Sequence, residues 1–326
     1  MRTIQYREAV CEAMTEEMRR DERVFLMGEE VAQYNGAYKA SKGMLDEFGE
    51  RRVIDTPIAE LGFSAIAVGA AMNGLRPIVE FMTWNFAILA ADQIINHAAK
   101  MLQMSGGQYP VPIVFRGPNG QAGQLGATHS QAFENMYAAI PGLKVVTPFT
   151  PYDMKGLLKS AIRDEDPVLV MESEKMYGDK GDVPEGEFLV PIGVANIRRT
   201  GTDCTVVSFG KILKTVHEAA DVLAQEGIEV EIVDLRTIRP LDIDTIVESV
   251  KKTGRLVIVE ESFPVASIAS EVSYRVQRHA FDYLDAPIRR VCQSDTPFAF
   301  ATTLIEEALP QVGDVVRAIK DVAYVA

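Results

Sequence analysis

The sequence predicts an α/β protein built from two parallel-sheet domains, and three observations carry that expectation. Short β-branched runs alternate with longer helical patterns over most of the chain. A polar stretch at residues 173–200, punctuated by Gly178, Gly181, Pro184, Gly186, Pro191 and Gly193, interrupts the alternation once. The length of 326 residues corresponds to about two domains at roughly 150 residues each. The expected bounds are 1–175 for the first domain, 176–200 for a linker and 201–326 for the second.

In the first domain, strands are expected at 24–27, 52–54, 78–81, 113–116, 144–147 and 168–172. Helices are expected near 4–21, 61–73, 86–105, 131–138 and 151–164. Pro77, Pro112 and Pro167 fall just before strands, where a missing N–H does least harm. The second domain reads as strand 205–209, helix 212–226, strand 229–234, helix 243–252, strand 256–260 and helix 266–280. A strand at 288–291 and helices near 304–308 and 315–322 complete it. The helix at 61–73 is small or apolar on every side, which implies burial on every side. It belongs either in a core or in a large subunit interface.

Composition sets further bounds. A hydrophobic share of 47% with 24% charged residues is that of an ordinary globular chain. The uncharged stretch 61–75 is too short for a bilayer, which needs about 20 residues, and no apolar segment follows Arg2, so neither a membrane span nor a signal peptide is expected. A net charge of −13 argues against nucleic acid as a partner. Cys11, Cys204 and Cys292 are far apart and odd in number, which fits free thiols in a reducing compartment.

Chemistry is expected at strand ends. His129 lies in a Gly-rich loop, Gly117 to Gln131, after one strand and before a helix. Ligands of α/β folds gather at that place, and imidazole passes protons near neutrality. The alternative is a plain loop in which Ser130 or Thr128 caps the next helix. Glu60 enters the apolar helix directly. It either complements the helix dipole or, buried beside small apolar groups, serves a ring nitrogen as hydrogen-bond and proton-transfer partner. Met82 and Phe86 close a third strand and are either core or one wall for a flat heterocycle.

At these residues the chain resembles the β subunits of thiamine-diphosphate-dependent 2-oxo acid dehydrogenases, of the pyruvate dehydrogenase type. The resemblance runs through essentially the whole chain. Its most specific stretches are Met27-Gly28-Glu29-Glu30-Val31, Arg52 to Glu60, Glu80 to Phe86, Phe115 to Gly120 and His129-Ser130-Gln131; Pro141 to Val146, Lys155 to Leu158, Asp234 to Asp242 and Leu284 to Pro287 continue it. It implies an N-terminal pyrimidine-binding fold and a C-terminal transketolase-like domain. It implies oxidative decarboxylation of pyruvate, with the acetyl group passed to lipoyl groups of a dihydrolipoyl acetyltransferase core. The partner implied is an α subunit, in a tetramer of two α and two β chains that binds neither nucleic acid nor membrane. That α subunit would hold the diphosphate and most of the magnesium. This accounts for the absence here of a Gly-Asp-Gly segment followed by paired asparagines.

The same resemblance assigns residues. Glu60 would hydrogen-bond the pyrimidine ring nitrogen and favour the imino tautomer that takes up the thiazolium proton. Ile58, Met82 and Phe86 would complete the pyrimidine site, and His129 would donate a proton during acetyl transfer. A structural potassium ion would sit at Ile113, Ala161, Ile162, Asp164 and Asp166, in several cases through backbone carbonyls. Thr128 stands where Gln is more usual, and Glu261 to Pro264 and Asp295 to Phe300 depart from the pattern in the domain that docks onto the acyltransferase core. An acidic chain would meet a basic binding domain there. The location implied is cytoplasmic, or the mitochondrial matrix for a mature organellar form. Alternatives are a branched-chain 2-oxo acid or acetoin dehydrogenase β subunit, or a non-catalytic scaffold; retained Glu60 and His129 speak against the scaffold.

Overall fold

The computed structural model describes residues 1–325 and divides into two compact units, 1–122 with 136–192, and 123–135 with 193–326. In the first unit the strands are β1 (Arg2–Gln5), β2 (Val24–Gly28), β3 (Val53–Asp55), β4 (Arg76–Glu80), β5 (Val114–Pro118), β6 (Lys144–Val146), β7 (Val168–Glu172) and β8 (Lys180–Val183). Six of them lie side by side in the order β6-β7-β5-β4-β2-β3, every neighbouring pair parallel. The central strands β4, β5 and β7 are buried along their whole length, as a sheet covered on both faces requires. Pro77 is the second residue of β4, and pairing with β5 begins only one residue later, at Ile78 and Val114.

Helices α1 (Tyr6–Arg20), α2 (Met44–Phe48), α3 (Glu60–Met72), α4 (Trp84–Ala87), α5 (Met101–Met104), α6 (Glu134–Ala138) and α7 (Pro151–Arg163) follow in chain order, α6 being shared at the unit boundary. Helix α1 buries Tyr6, Ala9, Val10, Ala13, Met14 and Met18, the i, i+3, i+4 stripe of an amphipathic helix. Helix α7 begins with Thr150 as N-cap, Pro151 in the first turn and Asp153 bonding back to the Thr150 N–H at 3.2 Å. The two helices pack together. Across their contact Lys155 reaches Glu12 and Glu16 at 3.0 and 2.6 Å and Lys159 reaches Glu16 at 2.6 Å, while Glu187, beyond β8, also meets Lys159 at 2.6 Å. Both lysine side chains are buried, so these pairs are screened less than surface ion pairs.

Three segments depart from the sequence reading. Residues 2–5 form a strand that takes Ile4 and Gln5 from the expected helix, and they pair antiparallel with β8, which lay inside the expected linker. The hydrogen bonds of that ribbon tie residues 180–183 to the first unit. The helix expected at 86–105 is broken into α4, a 3₁₀ turn at Ile88–Ala90, a π-turn at Gln93–Ala98 and α5. The wider π-turn buries both Ile94 and Ala98, and the segment packs against α3. The helix expected at 131–138 shortens to α6, and residues 127–129 ahead of it form a separate 3₁₀ turn.

The second unit carries β9 (Asn196–Arg199), β10 (Cys204–Ser208), β11 (Val230–Asp234), β12 (Thr237–Arg239), β13 (Leu256–Val259) and β14 (Arg289–Val291). Its five-stranded sheet runs β14-β13-β10-β11-β9 and is parallel except for β9, an antiparallel edge strand that also lay in the expected linker. Helices α8 (Leu213–Gln225), α9 (Ile243–Thr253), α10 (Ile268–Ala280), α11 (Thr302–Ala308) and α12 (Val312–Ala323) complete it. No described helix is long and apolar enough to cross a membrane.

Candidate active site

Sheet order alone assembles the first-unit site. Strand β2 lies between β3 and β4, so Gly28 is level with both Asp55 and Glu80, and Glu80 is level with Arg116 of β5. The residues that leave the C-terminal ends of these strands therefore meet on one edge: Glu29 after β2, the turn to Glu60 after β3, and Met82 after β4. Parallel α/β sheets bind ligands at that edge.

Local bonds hold each exit. Thr56 donates its N–H to the Gly28 carbonyl at 2.9 Å, joining the exits of β3 and β2. The Asp55 carboxylate accepts the N–H groups of Ala32 and Gln33 at 2.7 and 3.1 Å, which fixes the turn beyond Glu29. Tyr38 donates to the Met82 carbonyl at 3.3 Å and also bonds Glu174 at 3.2 Å. Thr83 caps α4, accepting from the Asn85 N–H, and so aims the short helix that carries Phe86. At Gly117 an added Cβ would lie 2.3 Å from the Phe81 carbonyl oxygen, so only glycine lets β5 approach the exit of β4 this closely.

Burial separates the aromatic run that follows β4 into two roles. Phe81 and Trp84 are core: Phe81 stacks on Phe115 at 5.9 Å, and Trp84 meets Tyr137 edge-on at 5.2 Å. Met82 and Phe86 remain half-exposed above them. Glu60, the first residue of α3, is 4% exposed, whereas Ile58 beside it is 83% exposed. The site thus offers a buried carboxylate flanked by accessible apolar side chains.

A second carboxylate accompanies it. Glu29 is 7% exposed, and no donor reaches its Oε1. Burial, and after it the charge of Glu60 alongside, pushes its carboxyl from 4.5 up to about 7. Glu29 therefore changes its charge near neutrality. The sequence reading missed Glu29 as a site residue, although Met27-Gly28-Glu29-Glu30 displays the usable signal, a strand running straight into acidic residues. Because the folded value lies above the unfolded one, protonated Glu29 contributes stability that is fully present below about pH 4.5 and is lost as pH rises through about 7. Thermal melts of wild type and Glu29→Gln should therefore diverge progressively between pH 4.5 and 7 and run parallel above it. A Tm difference that stays constant across that window would refute the raised Glu29 carboxyl.

His129 lies in the second unit, at the end of the 3₁₀ turn Ala127–His129. Neither Thr128 nor Ser130 caps a helix: Ser130 Oγ donates to the Gly126 carbonyl at 2.8 Å, and Thr128 Oγ1 stands 2.9 Å from His129 Nδ1. The cysteines offer no rival nucleophile, since burial pushes the Cys204 and Cys292 thiols up to about 12.

Comparison with known proteins places both halves of the chain in known families. Residues 2–180 match the family described as the transketolase pyrimidine binding domain, and residues 193–315 match the transketolase C-terminal domain. A pyruvate dehydrogenase E1 component subunit beta of Rickettsia felis is 54% identical over 98% of this chain and 98% of its own length. The chain belongs to the family of pyruvate dehydrogenase E1 β subunits. A further member of this family, from Rhizobium meliloti, is 58% identical over 99% of the chain and 71% of its own length. The human mitochondrial one is 53% identical over 96% and 89%. A solved chain titled split gene transketolase, inactive beta4 tetramer, superimposes with a TM-score of 0.80 at 22% identity over 99% of each chain, a likeness of fold.

The five residues expected at a potassium site of this E1 β chain come together where α7 ends beside β5 and β7. Val168 donates to the Ile113 carbonyl at 2.9 Å, and Asp164 donates to the Ala161 carbonyl at 3.2 Å. Lys144 Nζ already spans the carboxylates of Asp164 and Asp166, at 2.7 and 3.1 Å. Among the described residues no cluster of three or more His, Cys, Asp or Glu is arranged for a metal ion.

Proposed function

We infer that this chain is the β subunit of a thiamine-diphosphate-dependent pyruvate dehydrogenase component, which decarboxylates pyruvate oxidatively and hands the acetyl group to lipoyl groups of an acyltransferase core. The observation that carries this reading is the buried Glu29–Glu60 pair beside half-exposed Met82 and Phe86. An aminopyrimidine ring suits that arrangement, with a flat apolar face for the thioether and phenyl groups and ring nitrogens for a carboxyl to bond. When bound, thiamine diphosphate supplies the electron sink for loss of carbon dioxide.

Each residue of this chain then has a definite task. Glu60 holds or moves the proton at the pyrimidine ring nitrogen, and Glu29 beside it raises the energy of the doubly ionised state. Met82 and Phe86 exclude water from the ring's faces, and exposed Ile58 closes its edge. His129 donates a proton during acetyl transfer. Ile113, Ala161, Ile162, Asp164 and Asp166 form a structural potassium site remote from this chemistry. Diphosphate and magnesium fall to the α subunit.

An α partner also suits the outer face of α3. Leu61 and Ile66 are 51% and 66% exposed on that face, with Gly62 and Ala65 between them, and the adjoining 3₁₀ turn exposes Ile88 and Leu89. An apolar surface of this kind marks a protein contact. The α3 helix is thus core on one side and interface on the other. Two α and two β chains make up the tetramer, which works in the cytoplasm or the matrix. Co-purification with the α chain, assayed for pyruvate oxidation with and without added thiamine diphosphate, tests the reading. Cofactor-dependent turnover is expected, and its absence from a stoichiometric complex would overturn it.

A further inference from the structure

The assignment of His129 as proton donor rests on the reading above, and the structure adds to it a group which that reading does not use. Thr128 Oγ1 lies 2.9 Å from His129 Nδ1. Both residues belong to a single 3₁₀ turn, Ala127–His129, whose base is pinned. Gly126 stands at φ +78°, and its carbonyl accepts the His129 N–H at 3.3 Å and the Ser130 hydroxyl at 2.8 Å. Ser130 is 1% exposed, so the second of these bonds is protected from water. A left-handed glycine followed by two bonds to one carbonyl leaves the turn little freedom. The Thr128 side chain, stiff about χ1 because it is β-branched, extends from that fixed base to the ring.

A hydrogen bond at one imidazole nitrogen decides which nitrogen carries the proton and which is left to react. A hydroxyl oxygen has lone pairs to accept with, and it can turn its own hydrogen elsewhere. We propose that Thr128 is a positioning residue that accepts a hydrogen bond from His129 Nδ1–H and so makes Nε2 the nitrogen that exchanges the catalytic proton. In the imidazolium, Nδ1–H donates to Thr128 and Nε2–H faces the proton acceptor. After the proton leaves Nε2, the neutral ring retains Nδ1–H, and the bond to Thr128 is unbroken. The ring therefore need not flip or shift its tautomer between turnovers. The hydroxyl does for this imidazole what a carboxylate does in a catalytic triad, without adding charge.

The test uses the assembled α/β complex. A neutral hydrogen bond of this kind corresponds to a loss of about 3- to 10-fold on removal. Thr128→Val, which retains the shape and loses the oxygen, should lower kcat for acetyl transfer to a lipoyl-bearing acceptor by that factor, with the KM for pyruvate moving less than twofold. Thr128→Ser should restore kcat to within twofold of wild type. Equal rates for wild type and the Val variant, or a failure of Ser to rescue, would overturn the proposal. A second measurement does not depend on turnover. The β chain has four histidines, and nitrogen-15 labelling of them in the complex reads the tautomer of His129 directly. Wild type should show Nδ1–H and the Val variant should lose that preference, whereas Nε2–H in wild type would refute the bond as drawn. If His129→Ala left acetyl transfer intact, the role of His129 itself would fall, while the tautomer measurement would still decide what Thr128 does.

Discussion

Glu60→Gln should lower pyruvate turnover of the assembled enzyme by about 10²- to 10⁴-fold, the range that a positioned proton-transfer group supplies, while leaving the fold and the complex intact. The substitution is nearly isosteric at a position only 4% exposed, and Glu60 is the first residue of α3. Its structural contribution is the interaction of a carboxylate with a helix N-terminus, worth about 0.3–1 kcal/mol. Rate losses of that size amount to less than about fivefold, so magnitude separates the two roles. Turnover within about threefold of wild type, less than about 1 kcal/mol of barrier, would return the chain to the scaffold reading. The variant has an internal control. Glu60 charge is one cause of the raised Glu29 carboxyl, so Glu29 should titrate below about 7 once residue 60 is neutral. Unchanged titration of Glu29 would mean that the two carboxyls are not coupled.

The largest effect on stability is expected at Arg116. Its guanidinium is fully buried in β5 and holds Glu172 of β7 through two bonds, of 2.5 and 2.6 Å, and Glu80 of β4 on the other side. Tyr177 completes the cluster, donating to Glu172 at 2.8 Å. Burial pushes the Glu80 carboxyl up even with the arginine alongside, while the two carboxylates hold Arg116 firmly charged. Arg116→Leu would leave Glu80 and Glu172 buried without their cation, which costs about 3–5 kcal/mol out of the roughly 5–15 kcal/mol that holds a domain folded. Urea unfolding should show that loss as a lower midpoint at unchanged slope. Replacing Glu80, Arg116 and Glu172 together with apolar residues of similar volume should recover most of it. A loss under about 1 kcal/mol for Arg116→Leu alone would show that water reaches the cluster, against the burial observed.

Much of this molecule could be read in one dimension. Strand runs such as 78–81 and 168–172 are marked by residue type, and a helix such as 151–163 by its cap, its proline and its apolar stripe. Glu60, Met82 and Phe86 stood out because each follows a strand, and the resemblance gave them roles. Apolar residues on every side of 61–73 pointed to burial, and left open by what.

Other features required the third dimension. The strand at 2–5 has no signal of its own, being too short and too polar; it exists because residues 180–183 come alongside. The break at 88–98 answers to packing against α3 rather than to any Gly or Pro within it. Whether Met82 or Trp84 faces the site depends on which side of the exit from β4 is already filled by Phe115 and Tyr137. Glu29 and Glu60 are 31 positions apart in sequence, and they become partners only because β2 is placed next to β3. Periodicity records how deeply a residue is buried by its own element, which the sequence by itself determined. Strand order, which decided what each residue meets, is a property of the folded sheet, because pairing between distant segments leaves no mark on either segment alone.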